Sequence, residues 1–246
     1  MPSAPETVLA VDGITYAYLD RFPALDDISF SITRGERVAL VGPNGGGKST
    51  MLKILDGLVF PDAGSYEAFG QAVTETTLED EQFNEAFRSR IGFVFQNTDA
   101  QVFSPTVRDE VAFGPLNLGL TATEAATRVD DTQHLLGIAA RGDRAPYQLS
   151  GGQKKRVAIA SVLAMNPEVL LFDEPTAALD PETQDWLLEL IVELNHAGKT
   201  IVVATHDVLA LDLLDDRCLV IDEHHHLTYD GPRSGLPAAA GVRHRR

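Results

Sequence analysis

A chain of 246 residues with 44% hydrophobic and 23% charged side chains can bury a substantial core and has the composition of a globular protein. Its formal net charge of −16 argues against nucleic acid as the main partner, because phosphate backbones are bound by basic surfaces. The single cysteine, Cys218, excludes an intrachain disulfide and fits a reducing compartment. We find no signal-peptide pattern and no apolar run of membrane-spanning length, and therefore expect a cytoplasmic location.

The first predicted elements are strands. The segments "TVLAVDGITYAY" (7–18) and "DDISFSI" (26–32) alternate apolar and polar residues, which indicates an antiparallel patch. The next segment, "RVALVG" (37–42), is a short apolar run typical of a buried strand. It leads through a glycine-rich loop into "STMLKILDGL" (49–58), whose apolar residues recur at helical spacing.

Strand signals vanish between residues 97 and 160. Helix-like segments, "TEAATRVDDTQHLLGI" (123–138) and "GGQKKRVAIASVLAM" (151–165), dominate this region and indicate an inserted helical subdomain. Beyond it, the apolar runs "VLLFD" (169–173) and "TIVVAT" (200–205) enclose a helix-like segment at 182–198. This alternation predicts a mainly parallel sheet.

The glycine-rich loop, "VGPNGGGKST" (41–50), carries the first functional motif. Gly42, four intervening residues and Gly47-Lys48-Ser49 match the pattern G-x-x-x-x-G-K-[ST]. Glycines let successive N–H groups point at a phosphate, the lysine reaches the β- and γ-phosphates, and the Ser49 hydroxyl is a ligand for Mg²⁺. The alternative is a glycine-rich turn that arose by chance. The strand before the loop and the helix after it favour a nucleoside triphosphate site.

Two adjacent carboxylates follow the second buried strand. The segment "VLLFDEP" places Asp173 at the carboxyl end of that strand, where ligands of parallel sheets collect. Asp173 can hold Mg²⁺ through water there, and Glu174 can accept a proton from an attacking water. The alternative is a solvated pair of acids at a strand end. The apolar run before the pair and the glycine-rich loop elsewhere in the chain favour the catalytic interpretation.

A second feature suited to phosphate is "LSGGQ" (149–153), which opens the last helix-like segment of the 97–160 region. Ser150 is a natural N-cap, and Gly151 and Gly152 leave backbone N–H groups accessible at the start of the helix. The chain therefore carries two helix ends that can bind anions.

This ordered series of motifs resembles the nucleotide-binding subunit of ATP-binding cassette (ABC) transporters over residues 7–232. The resemblance implies an α/β fold with a P-loop NTPase (RecA-like) core, an N-terminal antiparallel β patch and an inserted α-helical subdomain. The resemblance identifies "LSGGQ" (149–153) with the signature motif of the family. We expect the core at 1–96 and 161–230, the helical subdomain with the signature motif at 97–160, and a loosely ordered tail at 231–246.

The resemblance also gives roles to matching positions, with ATP and Mg²⁺ as the bound groups. It implies catalytic roles for Lys48, Gln96, Glu174 and His206, and metal coordination by Ser49, Gln96 and Asp173. The implied nucleotide-binding residues are Tyr18, Gly42, Asn44, Gly45, Gly46, Gly47, Lys48, Ser49, Thr50, Ser150, Gly151, Gly152, Gln153 and Asp180. Tyr18 would stack on adenine. Tyr16 is the competing choice, because "ITYAY" equally describes two tyrosines that pack on one strand face.

The partners follow from the same resemblance. In the family, two subunits close head to tail around two ATP molecules, so one set of motifs requires a second ATPase subunit, identical or paralogous. Reopening of the pair would move a membrane coupling protein, which works with a separate membrane component that binds the substrate. The chain is then peripheral at the cytoplasmic face of the membrane, with no nucleic acid as partner.

The stretch that contains Gln96, "FVFQNTDAQVFSPTVRDEVAFGPLNLGL" (93–120), resembles energy-coupling-factor ATPases, most closely the CbiO type that powers cobalt or nickel uptake. A vitamin or another solute stays open as the substrate, because a different polypeptide would select it. A soluble non-transport ABC ATPase is the second alternative, but the sequence shows neither a second cassette nor long coiled coils. Intact Lys48, Asp173, Glu174 and His206 argue against a regulatory subunit without hydrolysis.

Three consecutive histidines lie near the C-terminal end of the sequence. The segment "DEHHHL" (222–227) sets His224, His225 and His226 beside two acids, a composition that could bind a transition metal. Consecutive side chains point in different directions, however, so we expect a solvated turn between two strands.

Position 46 is glycine where the family often has alanine or serine. We expect this extra glycine to make the empty loop more mobile.

Overall fold

The computed structural model describes residues 6–206 and 217–236. Its strands are β1 (Thr7–Tyr18), β2 (Phe22–Thr33), β3 (Arg37–Val41), β4 (Ala63–Ala68), β5 (Gln71–Ala72), β6 (Ile91–Val94), β7 (Val169–Asp173), β8 (Thr200–Thr205), β9 (Arg217–Ile221) and β10 (Leu227–Pro232). Its helices are α1 (Lys48–Leu55), α2 (Glu75–Glu79), α3 (Glu81–Arg90), α4 (Val107–Asn117), α5 (Ala122–Leu135), α6 (Gly151–Leu163) and α7 (Pro181–His196). Within the described ranges, no helix is both long and apolar enough to cross a membrane.

The larger sheet has the order β10-β9-β3-β8-β7-β6. All neighbouring strands in it are parallel except β10, which runs antiparallel to β9. Every residue of β3, β7 and β8 is buried, as expected for strands covered on both faces. Leu171 packs into the core on the side of α1, while Leu170 and Phe172 pack on the side of α6 and α7. The predicted parallel sheet is confirmed.

The smaller sheet, in the order β2-β1-β4-β5, is antiparallel throughout. Ile14 pairs with Ile28 and Leu9 pairs with Ile32, and all four side chains are fully buried. Alternation of apolar and polar residues is required here because only one face of this sheet meets the core. The predicted antiparallel patch is therefore present, and it includes two strands, β4 and β5, that the sequence pattern did not indicate.

Residues 97–160 contain helices and no strand, as the sequence pattern predicted. The last of these helices, α6, continues to Leu163 and thus crosses the predicted boundary at residue 160. Its end packs on β6, where a side chain added to Gly92 would overlap Val162. The signature helix is therefore anchored directly on the central sheet, and the division at residue 160 stays a prediction.

Strand β10 continues past residue 231, where we predicted that the tail begins. Gly231 and Pro232 belong to β10 and pair with Cys218 and Arg217, and a 3₁₀ turn follows at Arg233–Gly235. Proline is tolerated there because β10 is an edge strand, where a backbone N–H need not join the ladder. The remainder of the predicted tail, residues 237–246, lies outside the described residues.

Candidate nucleotide site

The glycine-rich loop connects β3 to α1 at the carboxyl edge of the larger sheet. Gly42 and Gly47 both have positive φ, 155° and 107°. A side chain at Gly42 would overlap the Ile221 carbonyl, and one at Gly47 would overlap the Ala24 carbonyl. Only glycine allows the chain to curl at these two positions. The loop therefore wraps around the start of α1, the end of a helix that attracts anions.

Lys48 projects into the centre of this loop. Its Nζ donates hydrogen bonds to the carbonyl oxygens of Gly42 at 2.9 Å and Pro43 at 3.0 Å. The residue is only 5% exposed, and burial lowers the pKa of its ammonium group against the opposing effect of the Glu174 and Asp173 carboxylates. This buried cation, whose ion pair with Glu174 is long at 3.7 Å, is well suited to bind a phosphate group.

Ser49 and Asp173 join the loop to the end of β7. Ser49 Oγ donates a hydrogen bond of 2.8 Å to Asp173 Oδ1. Burial raises the pKa of the Asp173 carboxyl, and the hydrogen bond from Ser49 acts in the opposite direction. A hydroxyl and a carboxylate are hard oxygen donors, and Mg²⁺ commonly uses one or two such protein ligands together with phosphate and water. The donor set therefore fits the Mg²⁺ ion that the sequence predicts.

Glu174 and His206 face each other across the ends of β7 and β8. Glu174 Oε1 lies 2.8 Å from His206 Nδ1 and 3.7 Å from Lys48 Nζ. The Glu174 backbone N–H donates to the Ala204 carbonyl at 2.9 Å, which ties this residue to the neighbouring strand. Its φ of 41° is unusual for a residue with a side chain, and such backbone strain clusters at functional sites. The carboxylate is thus held in a fixed position at the floor of the site.

These groups line an open cavity of about 410 Å³. Ten of the predicted residues line it: Tyr18, Asn44, Gly45, Gly47, Lys48, Ser49, Thr50, Gln96, Glu174 and His206. Gly42 and Asp173 contact the lining groups Lys48 and Ser49, and Gly46 lies within the same loop. Phe22, Pro23 and Ala24 also line the cavity and were missed by the sequence analysis, because no motif marks them.

The two tyrosines differ in position, because Tyr18 lines the cavity and Tyr16 does not. Tyr18 is 36% exposed, lines the cavity, and shares a hydrogen bond of 3.1 Å between its hydroxyl and Thr50 Oγ1. Tyr16 packs against the core, edge-on to Tyr18 with 5.0 Å between ring centroids. Phe22, which is 55% exposed, lies at the same mouth of the cavity. Two aromatic rings are therefore available to a flat ligand.

Gln96 lies beyond the end of its strand. The apolar segment "IGFVFQ" (91–96) ends in Gln96, but β6 stops at Val94, because the Gln101 side chain bonds to the backbone of Phe93 and Phe95. Gln101 Oε1 accepts from the Phe95 N–H at 3.0 Å, and its Nε2 donates to the Phe93 carbonyl at 3.2 Å. The Phe95 carbonyl accepts from Lys155 Nζ at 3.0 Å. Gln96 thus lines the cavity from a loop whose backbone is held by the side chains of Gln101 and Lys155.

The signature residues lie apart from this cavity. Ser150 and Gln153 cap α6 reciprocally, with Ser150 Oγ accepting from the Gln153 N–H at 3.4 Å and Gln153 Oε1 accepting from the Ser150 N–H at 3.2 Å. A Cβ at Gly151 would meet no heavy atom of the described residues within 4 Å, apart from those of the adjacent residues and of its own helix. Asp180 caps α7 and also lies outside the cavity lining. Within one subunit, the structure does not bring the two predicted phosphate-binding ends together.

The three histidines occupy the turn between β9 and β10. His226 Nδ1 lies 3.1 Å from the Asp26 carbonyl, and His225 Nδ1 lies 3.4 Å from the Gly46 carbonyl. The side chain of His224 is 75% exposed. Throughout residues 6–206 and 217–236, no group of three or more His, Cys, Asp or Glu residues could hold a metal ion. The turn is thus only partly solvated, and Gly46 lies close beneath it, where a Cβ would be 3.1 Å from the Asp222 carbonyl oxygen.

Comparison with known proteins identifies the family. A model of the ABC transporter family matches residues 25–177, more than half of the 246-residue chain. The chain therefore belongs to the ABC transporter family as an ATP-binding subunit, and it is an ATPase with the P-loop NTPase fold. The fold class and family predicted from the sequence are confirmed.

Three proteins are similar to this chain over nearly its whole length. The nickel import ATP-binding protein LarO of Lactiplantibacillus plantarum is 46% identical over 223 residues, which cover 91% of this chain and 92% of LarO. The structure of cbiO1 from Clostridium perfringens, part of the ABC transporter complex cbiONQ, matches with a TM-score of 0.80 and 37% identity over 92% of this chain and 89% of cbiO1. The dimeric post-hydrolysis structure of the ATP-binding cassette MJ0796, bound to ADP and Pi, matches with a TM-score of 0.80 and 31% identity over 93% of this chain and 100% of that chain.

Proposed function

We propose that this chain is the ATP-hydrolysing subunit of an energy-coupling-factor importer for cobalt or nickel, bound peripherally at the cytoplasmic face of the membrane. The observation that carries the proposal is a groove of about 680 Å³ on the other side of the Gln96 loop, formed among α3, α4 and α6. Phe95 lines this groove, while the adjacent Gln96 lines the nucleotide cavity. An occupant of the groove would therefore be one residue away from the ATP site.

The groove has the chemistry of a protein-binding surface. Phe103 and Phe113 pack edge-on with 5.0 Å between their centroids, yet they remain 67% and 49% exposed. Met165 contributes further apolar surface, and Glu81 and Glu85 line the groove as acids. Exposed aromatic clusters of this kind mark interaction sites. A basic, apolar segment of a membrane coupling protein is the occupant that we assign to it.

ATP hydrolysis would use the residues around Glu174. Lys48 binds the β- and γ-phosphates, and Tyr18 stacks on adenine. Glu174 accepts a proton from the attacking water, and His206 holds the carboxylate in position through the contact between its Nδ1 and Glu174 Oε1. When bound, Mg²⁺ would neutralise phosphate charge, held by Ser49, Asp173 and Gln96. The role of each residue is part of the proposal.

A second ATPase subunit would complete each site. Five of the predicted nucleotide-binding residues do not line the cavity of their own subunit: Ser150, Gly151, Gly152, Gln153 and Asp180. The start of α6 nevertheless offers backbone N–H groups to a ligand. In a head-to-tail pair they would face the nucleotide held by the partner. The dimeric form of the similar cassette MJ0796 supports this arrangement. Either an identical or a paralogous subunit satisfies the chemistry.

The metal assignment is supported by the similarity to a nickel import protein, and the assignment to a transporter complex by the similarity to cbiO1. A vitamin or another solute is the alternative cargo. The second alternative, a soluble non-transport ATPase, gives no role to the apolar groove beside Gln96.

Uptake of labelled Co²⁺ and Ni²⁺ tests the proposal. Cells that lack the native subunit are complemented with the wild type, with Glu174→Gln or with the matched control Glu189→Gln on the exposed face of α7. We expect uptake with the wild type and the control, and none with Glu174→Gln. Uptake of neither metal by cells with active wild-type ATPase would move the cargo to another solute. If a membrane coupling protein neither binds the wild-type ATPase nor changes its activity, the result would instead support the soluble alternative.

A further inference from the structure

The first turns of α6 and α7 pack against each other at the point where both carry predicted site residues. A Cβ added to Gly152 would lie 3.0 Å from Thr183 Oγ1 and 3.2 Å from Thr183 Cγ2, so the two helices approach closely. Thr183 is held by the Asp180 carboxylate, which accepts from its backbone N–H at 3.0 Å and from its hydroxyl at 2.8 Å. A path of direct contacts therefore joins the signature glycine to Asp180.

One turn further along both helices, Arg156 stacks on Trp186. The guanidinium carbon lies 3.5 Å from the centroid of the indole ring, a close cation–π contact. Residues 152 and 156 share a face of α6, and residues 183 and 186 share a face of α7. The stack thus continues the same seam between the two helices.

Arg156 also reaches a third helix. Its Nη1 donates a hydrogen bond of 3.1 Å to the carbonyl oxygen of Leu136, the residue that caps the end of α5. Carbonyl groups at a helix C-terminus lack partners within the helix and carry partial negative charge, which favours a bound cation. One side chain therefore connects the signature helix, the helix that follows Asp180 and the end of α5.

We propose that Arg156 is a positioning residue, which by stacking on Trp186 holds the signature residues and Asp180 as one rigid block. The proposal rests on the paired site proposed above, because both groups would act on nucleotide bound by the partner subunit. If the two helices moved independently, both would have to be ordered each time the pair closes. A preassembled block is already ordered before closure. Loss of Arg156 should therefore slow hydrolysis by the pair without weakening ATP binding to Lys48 in a single subunit.

The stack can be observed directly, because Trp186 is the only tryptophan of the chain. We expect Arg156→Ala to change the intensity and wavelength of tryptophan emission. Arg156→Lys should change them less, since an ammonium group can remain over the ring. Arg144→Ala is the matched control, because Arg144 is exposed. An Arg156→Ala spectrum identical to that of the wild type would show that the stack does not form in solution.

Steady-state kinetics test the positioning role. Arg156→Ala and Trp186→Leu should each lower kcat about fivefold or more, the effect of losing one stacking contact in the hydrolytic state. If the two residues act as a unit, the double variant loses no more than either single variant. Trp186→Phe keeps an aromatic face and should retain most of the activity. It also keeps the test usable if Trp186→Leu does not fold.

ATP binding to the single subunit is the readout that a general structural defect would also disturb. We expect it to be unchanged in Arg156→Ala, with the variant folded by circular dichroism. Additive losses in the double variant, or wild-type kcat in Arg156→Ala, would overturn the proposal. Failure of pairing itself would look different, because wild-type hydrolysis would then show no cooperative dependence on subunit concentration.

Discussion

His206 Nδ1 lies 2.8 Å from Glu174 Oε1, so that the residue after β8 fixes the carboxylate after β7. Because this contact orients the proposed base without touching the P-loop, His206→Ala should lower kcat by ~10²-fold or more and leave KM for ATP nearly unchanged. Steady-state hydrolysis over a range of ATP concentrations measures both constants. His196→Ala, at the exposed end of α7, is the control. Unchanged kcat in His206→Ala would remove this residue from the mechanism.

Ser49 and Asp173 should determine the Mg²⁺ requirement, because their oxygens lie 2.8 Å apart at the mouth of the P-loop. Ser49→Ala removes one donor oxygen and should raise the Mg²⁺ concentration for half-maximal activity by about tenfold or more. Ser49→Thr keeps the hydroxyl and serves as the matched variant. Titration of Mg²⁺ at saturating ATP makes the measurement. Identical titration curves for Ser49→Ala and the wild type would contradict this metal assignment.

Tyr18 should contribute to nucleotide affinity through its ring. Tyr18→Phe removes only the hydroxyl bonded to Thr50 and should bind ATP almost as the wild type does. Tyr18→Leu removes the aromatic face and should weaken binding about fivefold or more, since base stacking contributes ~1–3 kcal/mol. Binding is measured with a fluorescent ATP analogue. Tyr147→Leu, at an exposed tyrosine elsewhere, is the control. Equal affinity in Tyr18→Leu and the wild type would leave Phe22 as the remaining candidate at the cavity mouth.

Asp56 should make stability depend on pH. It is 8% exposed at the end of α1, and burial raises the pKa of its carboxyl from 3.8 to about 7, against the opposing effect of Arg88. As pH rises between these values, the unfolded chain releases the proton while the folded protein retains it, so folding becomes less favourable. The stabilising contribution is full below pH 3.8 and is lost as pH passes about 7.

Asp56→Asn carries no such proton. The free energy of unfolding of the wild type, relative to this variant, should therefore fall by about 1–3 kcal/mol as pH rises through this range. Urea unfolding of both proteins at several pH values measures the difference. A difference that stays constant with pH, or that grows as pH rises, would show that the pKa of Asp56 is not raised.

Local motifs made much of the fold and site predictable. Strands β7 and β8 have the predicted bounds because continuous apolar runs are a direct signature of strands covered on both faces. Five site residues come together because each lies at or just after the carboxyl end of a strand in one parallel sheet: Lys48, Ser49, Asp173, Glu174 and His206. Their positions relative to the strands therefore predict that they lie close together.

The remaining features depend on tertiary contacts that leave no pattern in the sequence. Phe22 reaches the cavity mouth only because β1 and β2 form a hairpin, and Gly231 and Pro232 extend an edge strand that composition did not indicate. Gln96 leaves its strand because Gln101 bonds to Phe93 and Phe95. Such side-chain contacts decide where an element ends, whereas propensity and periodicity alone do not.

The measurement that tests the central claim most directly is phosphate release and ATP binding by purified wild type and Glu174→Gln, with Glu189→Gln as the matched control and Lys48→Ala as the binding-deficient variant. The amide cannot accept a proton from water, while the phosphate cradle around Lys48 is unchanged. We therefore expect Glu174→Gln to bind ATP as the wild type does and to release phosphate ~10²–10³-fold more slowly. Lys48→Ala should lose ATP binding itself. Turnover by Glu174→Gln at the wild-type rate would contradict the account.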